Sequence, residues 1–428
     1  MHAITRPRGA SQRRGATALA AVSVAALLIA GCSGGGTDDG EIVLEYWDLI
    51  NPAGDDPRGR DLAANIAEFE ESHPGVTIKV NTLPWATIDS ELMQAANSGK
   101  SPDIVRVLAW DLPKHIAAGN LAPLDDLIPA DDDWLLGWDT LSSADAKWAL
   151  PFEYRSPALY YQTGVAGEER PDTWDDMVDT AEDLAQDNGK SAVVVGLSTG
   201  GAGAVLAEML VSYLWAEGAE VFNEDGTAAF NSPEGVRAFE RIGRLVPAGL
   251  TPSEVVSYTV EEVTQAVTVS SANYYVLGSH RYAAAAEAGG LDDLAIAPLP
   301  GVEPGTTAPA HVNGWTLALG KDGDHPEVAA EFIAFMTSPE VQLRRVQTTA
   351  EMPTRASVYD DPWFETEDGA PAKILADWFA QNGRTLDYGE HYVEMSILWA
   401  EALQKMALEG ADAKTVADEA AAAYNALL

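Results

Sequence analysis

At 428 residues the chain is too long for one ordinary core, and its length predicts two or three domains. Its composition is that of a globular protein, with 46% apolar residues and no apolar run of membrane-spanning length after the first 31 positions. A formal charge of −40, from 66 acidic against 26 basic residues, argues against nucleic acid as a partner, because such a surface repels phosphates and anionic headgroups.

The first 31 positions form an element of their own. Arg6, Arg8, Arg13 and Arg14 make a positive segment without an acid, and 16–30 is an apolar run of signal-peptide length. It ends Leu28-Ile29-Ala30-Gly31-Cys32, which resembles the lipobox of bacterial lipoproteins, where a small residue precedes the acylated cysteine. The expectation is a signal peptide over 1–31, lipidation at Cys32 and a flexible Gly-rich tether over 32–40. Lipid would then hold the chain at the outer face of the cytoplasmic membrane without spanning it. An ordinary signal peptide with a stray cysteine is the alternative, and Arg13-Arg14 leaves open a twin-arginine export route. As Cys32 is the only cysteine, no disulfide framework is expected.

A strand over 41–47 leads into a polar Gly/Pro-rich loop at 48–59 that carries Asn51. Leu62, Ile66 and Phe69 give a helix face that stops at His73-Pro74-Gly75, and 76–80 is a strand. Asp89 or Ser90 is expected to cap a helix ending at Gly99, before a third strand over 102–107. This β-α-β-α-β order predicts a parallel sheet whose functional loops lie at the carboxyl ends of its strands. Those loops hold Asn51, Trp85, and Trp110 with Asp111.

The segment 148–162 is extended and broken, with Pro151 and Pro157 each removing a backbone donor. It predicts a crossover between two lobes that exposes Glu153, Tyr154 and Arg155 where the lobes face each other. Beyond it, Trp174, Met177, Val178, Ala181 and Leu184 mark a helix, followed by a buried strand over 192–196, a flexible loop at 200–203 and a helix over 205–216. Ser232-Pro233-Glu234 starts another helix. A strand is expected over 266–269, followed by Asn273-Tyr274-Tyr275. Strands over 294–299 and 312–319 are expected as the second and third crossovers, with helices filling most of the rest. The fold class is α/β, with lobes of 41–152 plus 297–312 and of 153–296 plus 313–428.

Taken in order, several segments resemble the extracellular solute-binding proteins of ABC importers, specifically the carbohydrate-binding family that includes the maltose- and trehalose-binding proteins. They include Pro74-Gly75-Val76-Thr77-Ile78, Pro102-Asp103-Ile104-Val105, Gly119-Asn120-Leu121, Leu150-Pro151, Pro171-Asp172-Thr173-Trp174, Asn231-Ser232-Pro233-Glu234, Ala297-Pro298-Leu299-Pro300, Gly314-Trp315, and Thr337-Ser338-Pro339-Glu340. The resemblance implies a type II periplasmic-binding-protein fold, closure of two lobes over a sugar, delivery to a membrane permease, and no chemistry or cofactor of its own. It implies a monomer. By position it implies ligand contact for Trp110, Asp111, Arg155, Asn273, Tyr274, Gly314, Trp315 and Arg355, with Asn51, Trp85, Glu153 and Tyr154 beside them. Arg155 stands where many relatives carry a carboxylate, which makes an acidic solute the alternative ligand. The usual acid at the start of the helix after Gly203 is replaced by Ala204 or Val205.

The residue types fit a sugar independently. Pyranose C–H faces stack on Trp or Tyr, and the hydroxyls ask for planar partners such as Asp, Asn and Arg. The chain holds 12 Trp and 13 Tyr against 9 Phe, so rings with a polar handle dominate. Trp174, Trp363, Trp378 and Trp399 sit on helical faces and are expected in the core. Gly196-Leu197-Ser198-Thr199-Gly200 fits a G-x-S-x-G nucleophile elbow, but Gly200 to Gly203 is too loose for the sharp turn it needs. A glycosidase would need a carboxylate pair, which 66 acids cannot single out. The seven histidines show no metal-ligand spacing.

Overall fold

The computed structural model describes residues 41–129, 132–136, 142–143, 146–167, 169–200 and 204–428. The expected signal peptide, tether and Cys32, and positions 201–203 of the glycine loop, lie outside these residues. In chain order the strands are β1 (Ile42–Asp48), β2 (Val76–Thr82), β3 (Ile104–Leu108), β4 (Leu121–Ala122), β5 (Ser142–Ser143), β6 (Ala146–Lys147) and β7 (Ala149–Arg155). They continue with β8 (Pro157–Gln162), β9 (Ser191–Val194), β10 (Ala272–Gly278), β11 (Leu294–Ala297), β12 (Ala310–His311), β13 (Asn313–Gly320) and β14 (Gly383–Arg384).

β2, β1 and β3 pair in parallel, as the strand-helix alternation requires. β13 then runs antiparallel to β3 and also pairs with β4 and β7, making a six-stranded sheet. The second sheet has the order β11-β8-β10-β9. Helix Pro57–Ser72 opens with the Asp56 side chain accepting from the Arg58 and Gly59 N–H groups, has Pro57 in its first turn, and buries Leu62, Ile66 and Phe69. It packs with Pro326–Met336 and Pro339–Thr349 around the first sheet. Helix Trp174–Asn188 starts on a Thr173/Asp176 capping box, ends on Gly189 at φ 70°, and lies on the second sheet with Ala204–Ala216 and Val260–Thr268. The outcome is the expected α/β pair of lobes joined by crossovers. Among the described residues no helix is long and apolar enough to cross a membrane.

Several expectations need correction. Residues 266–269 are not a strand: they end helix Val260–Thr268, whose Thr259/Glu262 capping box overrides the local β-branched bias. Helix Ile88–Asn97 follows Thr87, which makes no side-chain cap bond, so neither Asp89 nor Ser90 is the cap. Residues 313–320 belong with the first sheet rather than the second lobe, because β13 hydrogen-bonds to β3 and β7. The stretches at 294–299 and 312–319 are thus the two ends of one crossover. The third passes beyond Arg355, after which helix Ala370–Asn382 packs on β11. Glu153, Tyr154 and Arg155 are not exposed: all seven residues of β7 are buried.

The first crossover is very short. Only Ser156 separates β7 in one sheet from β8 in the other, and it is pinned by the Ser279 N–H donating to its carbonyl at 2.8 Å. Just upstream, the β7–β13 register slips by one residue, so that Phe152 is the extra residue of a bulge beside Pro151. Proline has no N–H to offer the ladder, and its carbonyl instead accepts from Thr354 Oγ1 at 3.0 Å.

Candidate functional site

The parallel strands bring their carboxyl ends to one rim, where a cleft opens. Its floor and one wall come from the first lobe: Leu49 after β1, Trp85 after β2, Arg106 on β3, Glu153 and Arg155 on β7, and Trp315 on β13. Arg58 and Glu351 complete that side. The second lobe supplies Glu208 from helix Ala204–Ala216, Val260, and His280 with Arg281 just after β10.

Beneath the cleft lies a buried ionic network. Arg106, 1% exposed, donates to Glu153 at 2.6 Å and to Asp48 at 3.3 Å, and Tyr46 donates to the same Asp48 carboxyl. Arg345 reaches both Glu153, at 3.3 Å, and Glu351. Phe152 is held between these cations, with Arg345 3.6 Å and Arg106 4.9 Å from its ring centre, and Arg106 also lies 5.1 Å from the Trp315 ring. Against the pull of burial, Glu153 and Asp48 keep the Arg106 guanidinium more firmly protonated than usual.

The two glutamates are pushed apart. Burial, and then the Glu351 charge, push the Glu153 carboxyl up to about 7. Glu351 is also buried, but Arg345, Arg106 and Arg58 hold it down to about 2. A carboxyl raised in the folded state binds its proton more tightly there. Glu153 therefore contributes stability that is present below its ordinary value of 4.5 and lost as pH rises through about 7. Glu351 has the opposite sign: its contribution is present above 4.5 and lost as pH falls through about 2. A Glu153→Gln variant keeps that position neutral, so its melting temperature relative to wild type is expected to rise between pH 5 and pH 8. A difference that stays flat over that window contradicts this assignment.

Of the residues expected at a site, the structure gathers Trp85, Glu153, Arg155 and Trp315 around the cleft. Trp85 is 37% exposed, whereas Trp315 is buried. Arg155 donates to Asn313 Oδ1 at 3.2 Å, sits 3.6 Å from Glu208, and lies 5.3 Å from the ring centre of Trp110. Tyr154 and Gly314 line a neighbouring cavity of about 350 Å³ that shares Glu153 and Trp315 with the cleft. Tyr154 is occupied there, donating to the Leu136 carbonyl at 3.2 Å.

The others stand apart from the cleft lining. Asn51 is exposed and its side chain accepts from the Ala53 N–H. Trp110 packs on Tyr392, and Asp111 pairs with Lys114 at 2.7 Å. Asn273 is buried on β10 and accepts from Asn188, while Tyr274 packs on Tyr161. Arg355 donates to the Thr337 carbonyl at 2.7 Å and stacks on Trp134. Trp174, Trp378 and Trp399 are core residues, and Trp363 is half-buried. Ser198 does not form an elbow; its hydroxyl accepts from the Gly200 N–H in a local turn.

Sequence reasoning missed Arg58, Arg106, Glu208, His280, Arg281 and Glu351. Two of these carry a signal. Arg106 interrupts the apolar strand Ile-Val-Arg-Val-Leu, and Glu208 is an acid within the apolar helix Ala204–Ala216. A charge in such a setting persists only when it is paired. The resemblance implies an acid at Ala204 or Val205; Glu208 stands three to four residues further on.

Residues 64–372 match the family described as bacterial extracellular solute-binding protein. The probable ABC transporter-binding protein of Deinococcus radiodurans is 25% identical over 50% of this chain and 52% of its own length. The chain spans about half or less of the length of several such relatives. An arabinooligosaccharide-binding protein of Halalkalibacterium halodurans is 23% identical over 71% of this chain and 70% of that protein. The maltose-bound MalE3 of T. maritima has the same fold, with a TM-score of 0.77 at 20% identity over 90% of this chain and 100% of that one. This chain is a member of the bacterial extracellular solute-binding protein family.

Proposed function

We propose that the chain is the extracytoplasmic receptor of an ABC importer, taking a mono-, di- or oligosaccharide into the interlobe cleft and handing it to a membrane permease. The observation that carries this is the pairing, in one cleft, of the Trp85 and Trp315 indoles with guanidinium and carboxylate groups from both lobes. Indoles stack on sugar C–H faces while charged planar groups take the hydroxyls. Support also comes from the oligosaccharide named for the Halalkalibacterium relative and the maltose in the T. maritima neighbour. Ligand contacts reaching both lobes would favour the closed arrangement. In this proposal the chain acts as a monomer, does no chemistry and is tethered by lipid at Cys32.

A thermal-shift screen against a carbohydrate panel tests it. A true ligand at a hundredfold excess over Kd adds about 2.7 kcal/mol to the folded state, a readily visible shift. Trp85→Ala is expected to weaken that ligand about tenfold in titration calorimetry. Because Trp85 is exposed, the same variant should melt close to wild type without ligand. A panel with no stabilising sugar rejects the proposal.

A further inference from the structure

The cleft is lined by four arginines, Arg58, Arg106, Arg155 and Arg281, in a chain where acids outnumber bases 66 to 26. Each of its glutamates already has an arginine at 3.6 Å or less. Glu153 faces Arg106 and Arg345, Glu351 faces Arg345, and Glu208 has Arg155 at 3.6 Å, all three being buried. Donor capacity, by contrast, is left over. Among the described residues the Arg58 guanidinium makes no hydrogen bond, its nearest carboxylate oxygens standing at 3.9 and 4.0 Å on Asp56 and Glu351. Arg281 spends one nitrogen on the exposed Glu261 at 2.6 Å, while its Nε is buried without a partner. The Nε of Arg106 is likewise buried and unpartnered.

A hydroxyl both gives and takes a hydrogen bond, so a neutral sugar asks a wall for acceptors and donors alike. A wall in which every carboxylate is matched by an arginine and guanidinium N–H groups are left over suits a group that only accepts. A carboxylate, planar with two oxygens, matches the guanidinium fork. We infer that the ligand is a uronate-type sugar whose carboxylate is held between Arg58 of the first lobe and Arg281 of the second. This rests on the carbohydrate assignment above and narrows it. His280 reports the same local field: burial, and then the charges of Arg155, Arg281, Arg58 and Arg106, push its imidazole well below the usual value. A carboxylate bridging both lobes also gives the closed arrangement a contact that the open one lacks.

The test is titration calorimetry of the mature protein with matched pairs, glucuronate and galacturonate oligosaccharides each against its neutral parent. In at least one pair the uronate is expected to bind tenfold or more tightly than the parent. Arg281→Gln should lower the uronate affinity by about 10–100-fold, and Arg281→Lys, which keeps the charge but loses the fork, should fall between. The ligand-free melting temperature of each variant checks that it has folded. Neutral parents binding as well as the uronates, or a sulfated parent outcompeting the uronate, overturns the inference while leaving the carbohydrate assignment standing. Silence of every sugar, neutral and acidic, removes both.

Discussion

Arg106→Met is expected to lower the unfolding free energy by about 3–5 kcal/mol, the usual cost of leaving a buried partner charge uncompensated. Arg106 is the shared partner of Glu153 and Asp48, and all three are at most 2% exposed. Glu153 would retain Arg345 at 3.3 Å, but Asp48 would keep only the Tyr46 hydroxyl and the Ile50 N–H. Urea unfolding measures the loss. The double variant Arg106→Met/Asp48→Leu separates the charge from the packing, since apolar replacement of a whole buried pair is often neutral or stabilising. If the double variant is less stable than Arg106→Met, the ionic pair is not the source of the cost. Ligand binding should suffer in both, as Arg106 lines the cleft.

Gly314→Ala should do comparable damage by a different route. A Cβ on Gly314 would fall 1.8 Å from the Glu153 carbonyl oxygen, 2.9 Å from its carbon and 3.3 Å from Tyr154 Cα. All three are backbone atoms, so no side chain can rotate away and β7 and β13 must part. A loss of about 3 kcal/mol or more is expected, at the upper end of overpacking costs. Ligand affinity should fall with it, because Glu153 and Trp315 sit on the strands that separate. Gly75→Ala is the comparison: φ there is 93° but the added methyl meets nothing, so only about 1–2 kcal/mol of backbone strain is expected. Equal melting temperatures for the two variants would show that the clash is relieved more cheaply than the geometry indicates.

Where structure is set locally, it is readable in the chain. Phe69 and its helical neighbours, the His73-Pro74-Gly75 stop and the apolar run at 104–108 locate the first βαβ units because period, proline and glycine act within a few residues. The cleft is harder for a specific reason. All residues of β7, β10 and β13 are buried, so alternation along them does not say which side chains face the ligand. Trp315 and Tyr274 look equally eligible, yet one lines the cleft and the other packs on Tyr161. Arg345 is missed for a similar reason. It adjoins Arg344, and only the long-range contact with Glu153 distinguishes the buried cation from its exposed neighbour. The third crossover is not at 312–319, because an antiparallel strand that joins a distant parallel sheet leaves no local mark.

Ser156 carries one last implication. Its N–H lies 3.3 Å from Ser279 Oγ, and its carbonyl takes the Ser279 N–H, so it is tied to the second half of the molecule. A joint one residue long is a pivot without slack: it permits a swing and forbids a slide. Guests of unequal length would then be met by a wider or narrower jaw rather than by a deeper throat. Splicing two glycines after Arg155 should therefore blunt discrimination between short and long guests before it abolishes capture.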